Sequence, residues 1–183
     1  VPVPLDADGL RVEHLLEATQ TPGEPAKAVF LTPSHQFPTG ATLALDRRMA
    51  VIEWAREHQS WIIEDDYDSE FHYAGKPTAC VQGLDPHERT IYIGTFTKSL
   101  FPGLRIGYMV LPPPLVAPMT VARTLMDGHS APIPQLTLAR FIENLRSLSI
   151  DPIVVRQNWF RAYDFASERA AVTLNEYARE NDP

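Results

Sequence analysis

The stretch Gly94-Thr-Phe-Thr-Lys-Ser-Leu-Phe101 decides how this chain is read. One lysine, Lys98, sits among hydroxyl side chains just after Thr90-Ile91-Tyr92-Ile93. That β-branched and aromatic run has the composition of a buried strand. Lys98 therefore stands where a strand ends. Read alone, it is an ordinary solvated lysine, the commonest fate of that residue type. Held among hydroxyls, its amine could instead form a Schiff base with a carbonyl cofactor. A Walker-type phosphate loop is excluded, because that pattern needs glycine directly before the lysine and Thr97 stands there.

Three neighbouring motifs give the lysine its meaning. Upstream, Trp61-Ile62-Ile63 runs into Glu64-Asp65-Asp66-Tyr67-Asp68-Ser69-Glu70. Acids at the carboxyl end of a strand lie where open α/β sheets bind ligands. A solvated acidic turn and a divalent-metal site are the other readings. The EF-hand pattern is absent, lacking both the turn glycine and the closing glutamate. Downstream, Pro102-Gly103-Leu104-Arg105 makes a turn before the strand-like Ile106-Gly107-Tyr108. Arg105 offers a fork of donors suited to a phosphate dianion. The third motif, Thr32-Pro33-Ser34-His35-Gln36-Phe37-Pro38-Thr39-Gly40, follows Ala28-Val29-Phe30-Leu31 and closes that strand with a tight turn.

In order and spacing, these phrases resemble the large domain of fold-type I pyridoxal-phosphate enzymes, the class I/II aminotransferase family. The likeness is nearest to the aminotransferase-like domain of MocR-type transcriptional regulators of the GntR superfamily. It covers residues 1–142, with the specific motifs between Thr32 and Pro113. It implies an α/β fold: the three-layer α/β/α large domain of the pyridoxal-phosphate-dependent transferase fold, here incomplete. It also implies pyridoxal 5'-phosphate as cofactor. Lys98 matches the lysine that forms the internal aldimine. Asp65 matches the aspartate that pairs with the pyridine nitrogen, with Asp66 as the weaker alternative. Tyr67 matches the tyrosine that hydrogen-bonds the phenolic oxygen. Thr95 and Arg105 match holders of the phosphate, and Thr97 is a further candidate. Many aminotransferases carry asparagine where Phe37 stands, and a phenyl ring cannot donate the asparagine's hydrogen bond. This departure favours the regulator branch and leaves His35 and Gln36 as candidate substitutes.

With 183 residues the chain is long enough for one domain with a core. A complete fold-type I subunit is longer. The resemblance places Val1 in the middle of the large domain, so a fragment or a disrupted gene product is expected. Residues 1–143 are read as a partial large domain and residues 144–183 as a divergent helical tail. Such proteins build their sites at a dimer interface, so a homodimer is implied. Three functions follow. The chain is an effector-sensing domain for an amino acid or amine, or an aminotransferase, or an inactive fragment. DNA would be bound only through a domain outside this sequence, because the net charge of −7 argues against general nucleic-acid affinity. Cys80 is the only cysteine, which fits a reducing, cytoplasmic setting. No apolar run reaches membrane-spanning length. No metal ligands are expected, since the histidines lack ligand spacing.

Helices are expected over residues 10–19, over 46–58 with Asp46 as N-cap, and over 115–126 with Pro118 in the first turn. Met49, Ile52, Trp54 and Ala55 supply the apolar face of the second helix. Strands are expected over 28–31 and 61–63, near Ile91, and over 106–111. A short extended segment falls at 70–73, a turn at 75–77, and the last helical stretch over 153–179.

Overall fold

Strand β3 (Ala28–Leu31) forms the simplest part of the core. Its side chains alternate, so Val29 and Leu31 are buried while Ala28 and Phe30 are exposed. The computed structural model describes residues 1–19, 25–69, 78–100, 102–128 and 131–146. β3 pairs in parallel with β4 (Trp61–Asp66), placing Leu31 opposite Glu64. β4 pairs in parallel with β5 (Thr90–Thr95), placing Asp66 opposite Gly94. β6 (Gly107–Val110) completes a sheet of order β3-β4-β5-β6. Parallel strands joined through helices define an α/β architecture.

Helix α2 (Leu45–Glu57) links β3 to β4 and covers the sheet. Its buried residues are Arg48, Val51, Ile52, Trp54 and Ala55. The 48, 51, 52, 55 spacing is one helical face. Met49 was expected on that face but is 41% exposed, because the true stripe is set by Arg48. Asp46 is not the N-cap. Ala44 occupies that position with no side-chain bond, and Asp46 lies in the first turn, where its charge favours the helix dipole. Val29, Leu31, Val51, Ile52, Trp54, Ala55 and Ile62 form the centre of one cluster, with Leu10, Leu15, Leu43 and Val81 at its margins. Each of the valine, leucine and isoleucine side chains contributes about 1.5–3 kcal/mol when fully buried.

The first helix, α1 (Val12–Thr19), starts two residues later than expected. A small antiparallel ribbon, β1 (Leu5–Asp6) with β2 (Gly9–Leu10), takes Leu10 instead. Gly9 makes its turn possible with φ of +93°, and an added Cβ would press on the Leu43 backbone. β4 runs three residues beyond the apolar stretch, because its acids find partners described below. β6 is shorter than expected by one residue at each end. A short helix, α3 (Val81–Leu84), precedes β5, and α4 (Phe96–Ser99) follows it. Helix α5 (Pro113–Asp127) begins earlier than expected. Prolines in a first turn lose no hydrogen bond, since those N–H groups have no intrahelical acceptor. Pro118 is the sixth residue of that helix. Helix α6 covers Pro132–Arg146. The expected elements at 70–73, 75–77 and 153–179 lie outside the described residues.

Two compact units result, Val1–Gly94 with Tyr108–Ala122, and Thr95–Gly107 with Arg123–Pro183. In the first, β5 and β6 approach closely at Gly94, where a Cβ would meet the Tyr108 ring. That ring lies 6.1 Å from Tyr92, tilted by 39°.

Candidate functional site

The acidic end of β4 sorts its residues by strand parity. Ile62, Glu64 and Asp66 are buried; Trp61, Ile63 and Asp65 between them are half-buried on the opposite face. Glu64 Oε1 accepts from the Val81 amide at 2.9 Å and Oε2 from the Gln82 amide at 2.8 Å. Burial raises its pKa above 4.5, against the pull of those amides and of Arg48. Asp66 accepts from the Tyr92 hydroxyl at 2.7 Å and from the Ser69 amide at 3.2 Å, and the Ser69 hydroxyl also donates to it. Burial first, then the Asp66 contact, holds the Tyr92 phenol protonated. Asp66 is thus a structural residue that closes the turn at 66–69 and ties β4 to β5. This leaves Asp65 as the better candidate for a pyridine partner.

The loop after β3 is pinned from several sides. The Phe37 amide donates to Thr32 Oγ1 at 3.1 Å, and the Leu43 amide to the Pro33 carbonyl at 2.9 Å. Phe37-Pro38 is a cis peptide, and the Phe37 ring is 71% exposed. Arg48, fully buried, donates to the carbonyls of Leu43 (2.8 Å), Ala79 (2.8 Å) and Pro33 (2.9 Å). One guanidinium therefore holds both ends of the loop and the entry to α3. Tyr67 donates to the His35 carbonyl at 2.8 Å, and Asp68 Oδ1 lies 2.9 Å from His35 Nδ1.

The other candidates lie in the second unit. Thr95 N-caps α4, accepting from the Thr97 amide at 3.1 Å and donating to the Ile106 carbonyl at 3.3 Å. The Phe96 amide also donates to Ile106 at 3.0 Å. These bonds bring Thr95, Thr97 and Lys98 alongside the segment containing Arg105. Lys98 is exposed on α4, and α4 buries none of its residues. Arg105 is exposed with φ of +50°, a left-handed conformation uncommon for arginine. Such outliers persist where surrounding structure enforces them, often at ligand sites.

Sequence reasoning missed Arg48, Glu64, Asp68 and Tyr92 as positioning groups. Arg48 carried a usable signal: a charge at the stripe position that Val51, Ile52 and Ala55 define. Asp68 and Tyr92 carried none, because their partners are distant in sequence. Among the described residues, no group of three or more His, Cys, Asp or Glu is arranged to hold a metal ion.

Three parallel strands, with acids at the end of one and a lysine-bearing turn after the next, form an α/β arrangement of the kind expected for an aminotransferase-type protein. The chain belongs to the aminotransferase class I and II family, whose sequence profile matches residues 1–149. A second profile, that of the VirB8 protein, matches residues 118–183. The chain is 47% identical to the uncharacterized HTH-type transcriptional regulator YdeL of Bacillus subtilis (strain 168), over 79% of this chain and 30% of that protein. It is 39% identical to the probable rhizopine catabolism regulatory protein MocR of Rhizobium meliloti, over 78% of this chain and 28% of the relative. Among solved structures, Pyrococcus horikoshii kynurenine aminotransferase superposes with a TM-score of 0.75 at 31% identity, covering 89% of this chain and 39% of that one. The chain thus spans about 30% of the length of the curated relatives it matches. No helix among the described residues is long and apolar enough to cross a membrane.

Proposed function

We propose that this chain is the aminotransferase-like, pyridoxal-phosphate-binding part of a MocR-type transcriptional regulator, and that it senses an amino acid or amine. The carrying observation is its 47% identity to an HTH-type regulator across the motif-bearing residues. Phe37, in place of an asparagine, points the same way. DNA binding would belong to another part of the longer protein, and a homodimer would complete the site.

The donor set fits the cofactor. Asp65 supplies a carboxylate on the face of β4 away from the structural acids, suited to keep a pyridine nitrogen protonated. Tyr67 supplies a phenol proton. Thr95, Thr97 and Arg105 supply hydroxyls and a guanidinium for a phosphate. Lys98 supplies the amine that bonds the aldehyde. When bound, pyridoxal phosphate supplies an electron sink for a substrate's α-carbon.

A second reading is an aminotransferase, favoured by the likeness to the kynurenine enzyme. Lys98 would then take the substrate's α-proton. Formation of keto acid by the wild type and not by Lys98→Ala would select it. A visible absorbance titration with pyridoxal phosphate, then borohydride reduction and peptide mapping, tests the shared premise. The adduct is expected on Lys98 and absent in Lys98→Ala. Adducts scattered over other lysines would sink it.

We also place the end of the aminotransferase-like part near residue 143, with residues 144–183 a separate segment. The VirB8 match over 118–183 and the aminotransferase match ending at 149 support a change of family in that stretch. Regulators that continue the aminotransferase pattern unbroken through residues 144–183 of this sequence would refute it.

A further inference from the structure

Two motifs of the first unit meet at a single residue. Tyr67 donates its hydroxyl proton to the His35 carbonyl at 2.8 Å. The next residue, Asp68, reaches the same residue's ring, with Oδ1 2.9 Å from Nδ1. Residues 67 and 68 therefore grip His35 by backbone and side chain together. Both contacts are partly buried, which shields them from competing water.

The accepting carbonyl cannot easily follow the tyrosine elsewhere. The Gln36 amide donates to the Ala41 carbonyl at 2.8 Å, and the Gly40 amide to the Gln36 carbonyl at 2.7 Å. On the other side, Arg48 holds the Pro33 carbonyl at 2.9 Å. His35 thus lies in a loop fixed on both flanks, with Asp68 fixing its ring.

A phenol has one proton to donate. Burial first, then the negative charges of Asp68 and Asp65, keeps the Tyr67 phenol protonated above the ordinary tyrosine range. Its proton goes to His35. Donation to a cofactor's phenolic oxygen requires the same proton. The two acceptors compete, and whatever holds Tyr67 against the His35 carbonyl biases the outcome.

We propose that His35 and Asp68 form a latch on Tyr67. By tying residue 68 to the His35 ring, the pair keeps Tyr67 docked on the His35 carbonyl and its proton away from the cofactor's phenolic oxygen, and opening the pair frees the tyrosine to turn. His35 and Asp68 are positioning residues in this scheme, acting through Tyr67. The latch rests on the cofactor reading above and adds to it a control on cofactor engagement.

The test uses the 183-residue chain. Pyridoxal phosphate is titrated by absorbance into the wild type, His35→Ala, Asp68→Ala and Tyr67→Phe, and into the two double variants that combine Tyr67→Phe with each of the others. Borohydride mapping reports the adduct position in each. Each latch variant is expected to lower Kd about three- to tenfold, the scale of one released hydrogen bond. In the Tyr67→Phe background the same changes are expected to do nothing, because the proton they release is gone. Unchanged or raised Kd in the latch variants overturns the proposal. So does a lowered Kd that survives in the Tyr67→Phe background. If one latch variant does not fold, the other decides. A wild type with no Lys98 adduct overturns the cofactor reading itself, and the latch with it. A Lys98 adduct with additive variants removes the latch alone.

Discussion

The two faces of β4 bury their acids to different depths. On one face Glu64 and Asp66 are 0% and 5% exposed, and protein donors occupy their oxygens. On the other, Asp65 is half-buried, level with the start of the turn that carries Tyr67. Burial of a carboxylate is therefore a poor guide to its chemistry. Oxygens already filled by amides and hydroxyls mark a staple, and the staples hold the opposite face in place.

Arg48 breaks this comparison most severely. Arg48→Met removes the donors of three carbonyls, two of them in buried bonds, and at least about 3 kcal/mol of stability should be lost. Urea unfolding measures this, and a loss under about 1 kcal/mol would mean that the loop and α3 are held by something else. Glu64→Gln is milder, at about 1–2 kcal/mol, because one amide oxygen must serve where two carboxylate oxygens did. It also carries a pH signature. A carboxyl whose folded pKa is raised stabilises the fold when protonated. That contribution is complete below about pH 4.5 and is lost as pH rises through the folded value. The glutamine variant cannot titrate, so the wild type's margin over it should narrow upward through this window. A constant margin would contradict the burial argument. The smallest effect on stability belongs to the half-buried face. Asp65→Asn should leave unfolding within about 0.5 kcal/mol of wild type. It should still weaken the pyridoxal-phosphate absorbance titration. A large loss of stability would class Asp65 with the staples.

The strands were legible as β-branched runs alternating with a helical stripe, while their parallel pairing came from the structure. The likeness of the motifs made Lys98, Asp65 and Tyr67 nameable before any coordinates. The resemblance favoured Asp65, with Asp66, the adjacent carboxylate, as the weaker alternative. Strand parity, which sets the two on opposite faces, and the Tyr92 hydroxyl on Asp66 show only in the structure. Helix starts were misjudged where the backbone had another option. Leu10 joined a ribbon because Gly9 turns the chain, and Asp46 lies inside the first turn because the helix starts one residue earlier, at Leu45. Long-range hydrogen bonds, such as those of Arg48 to Pro33 and Ala79, leave no periodic trace in sequence.

Gly94 has a consequence for anyone scanning this chain by mutagenesis. It opens the lysine motif, so a lost activity there would naturally be charged to chemistry. Yet a methyl group at that position strikes Tyr108, whose ring leans on Tyr92, whose hydroxyl holds Asp66. An alanine scan across the motif would therefore register a mechanical fault at its first position, next to any functional faults further along. Without a folding control at each step, the two would look alike.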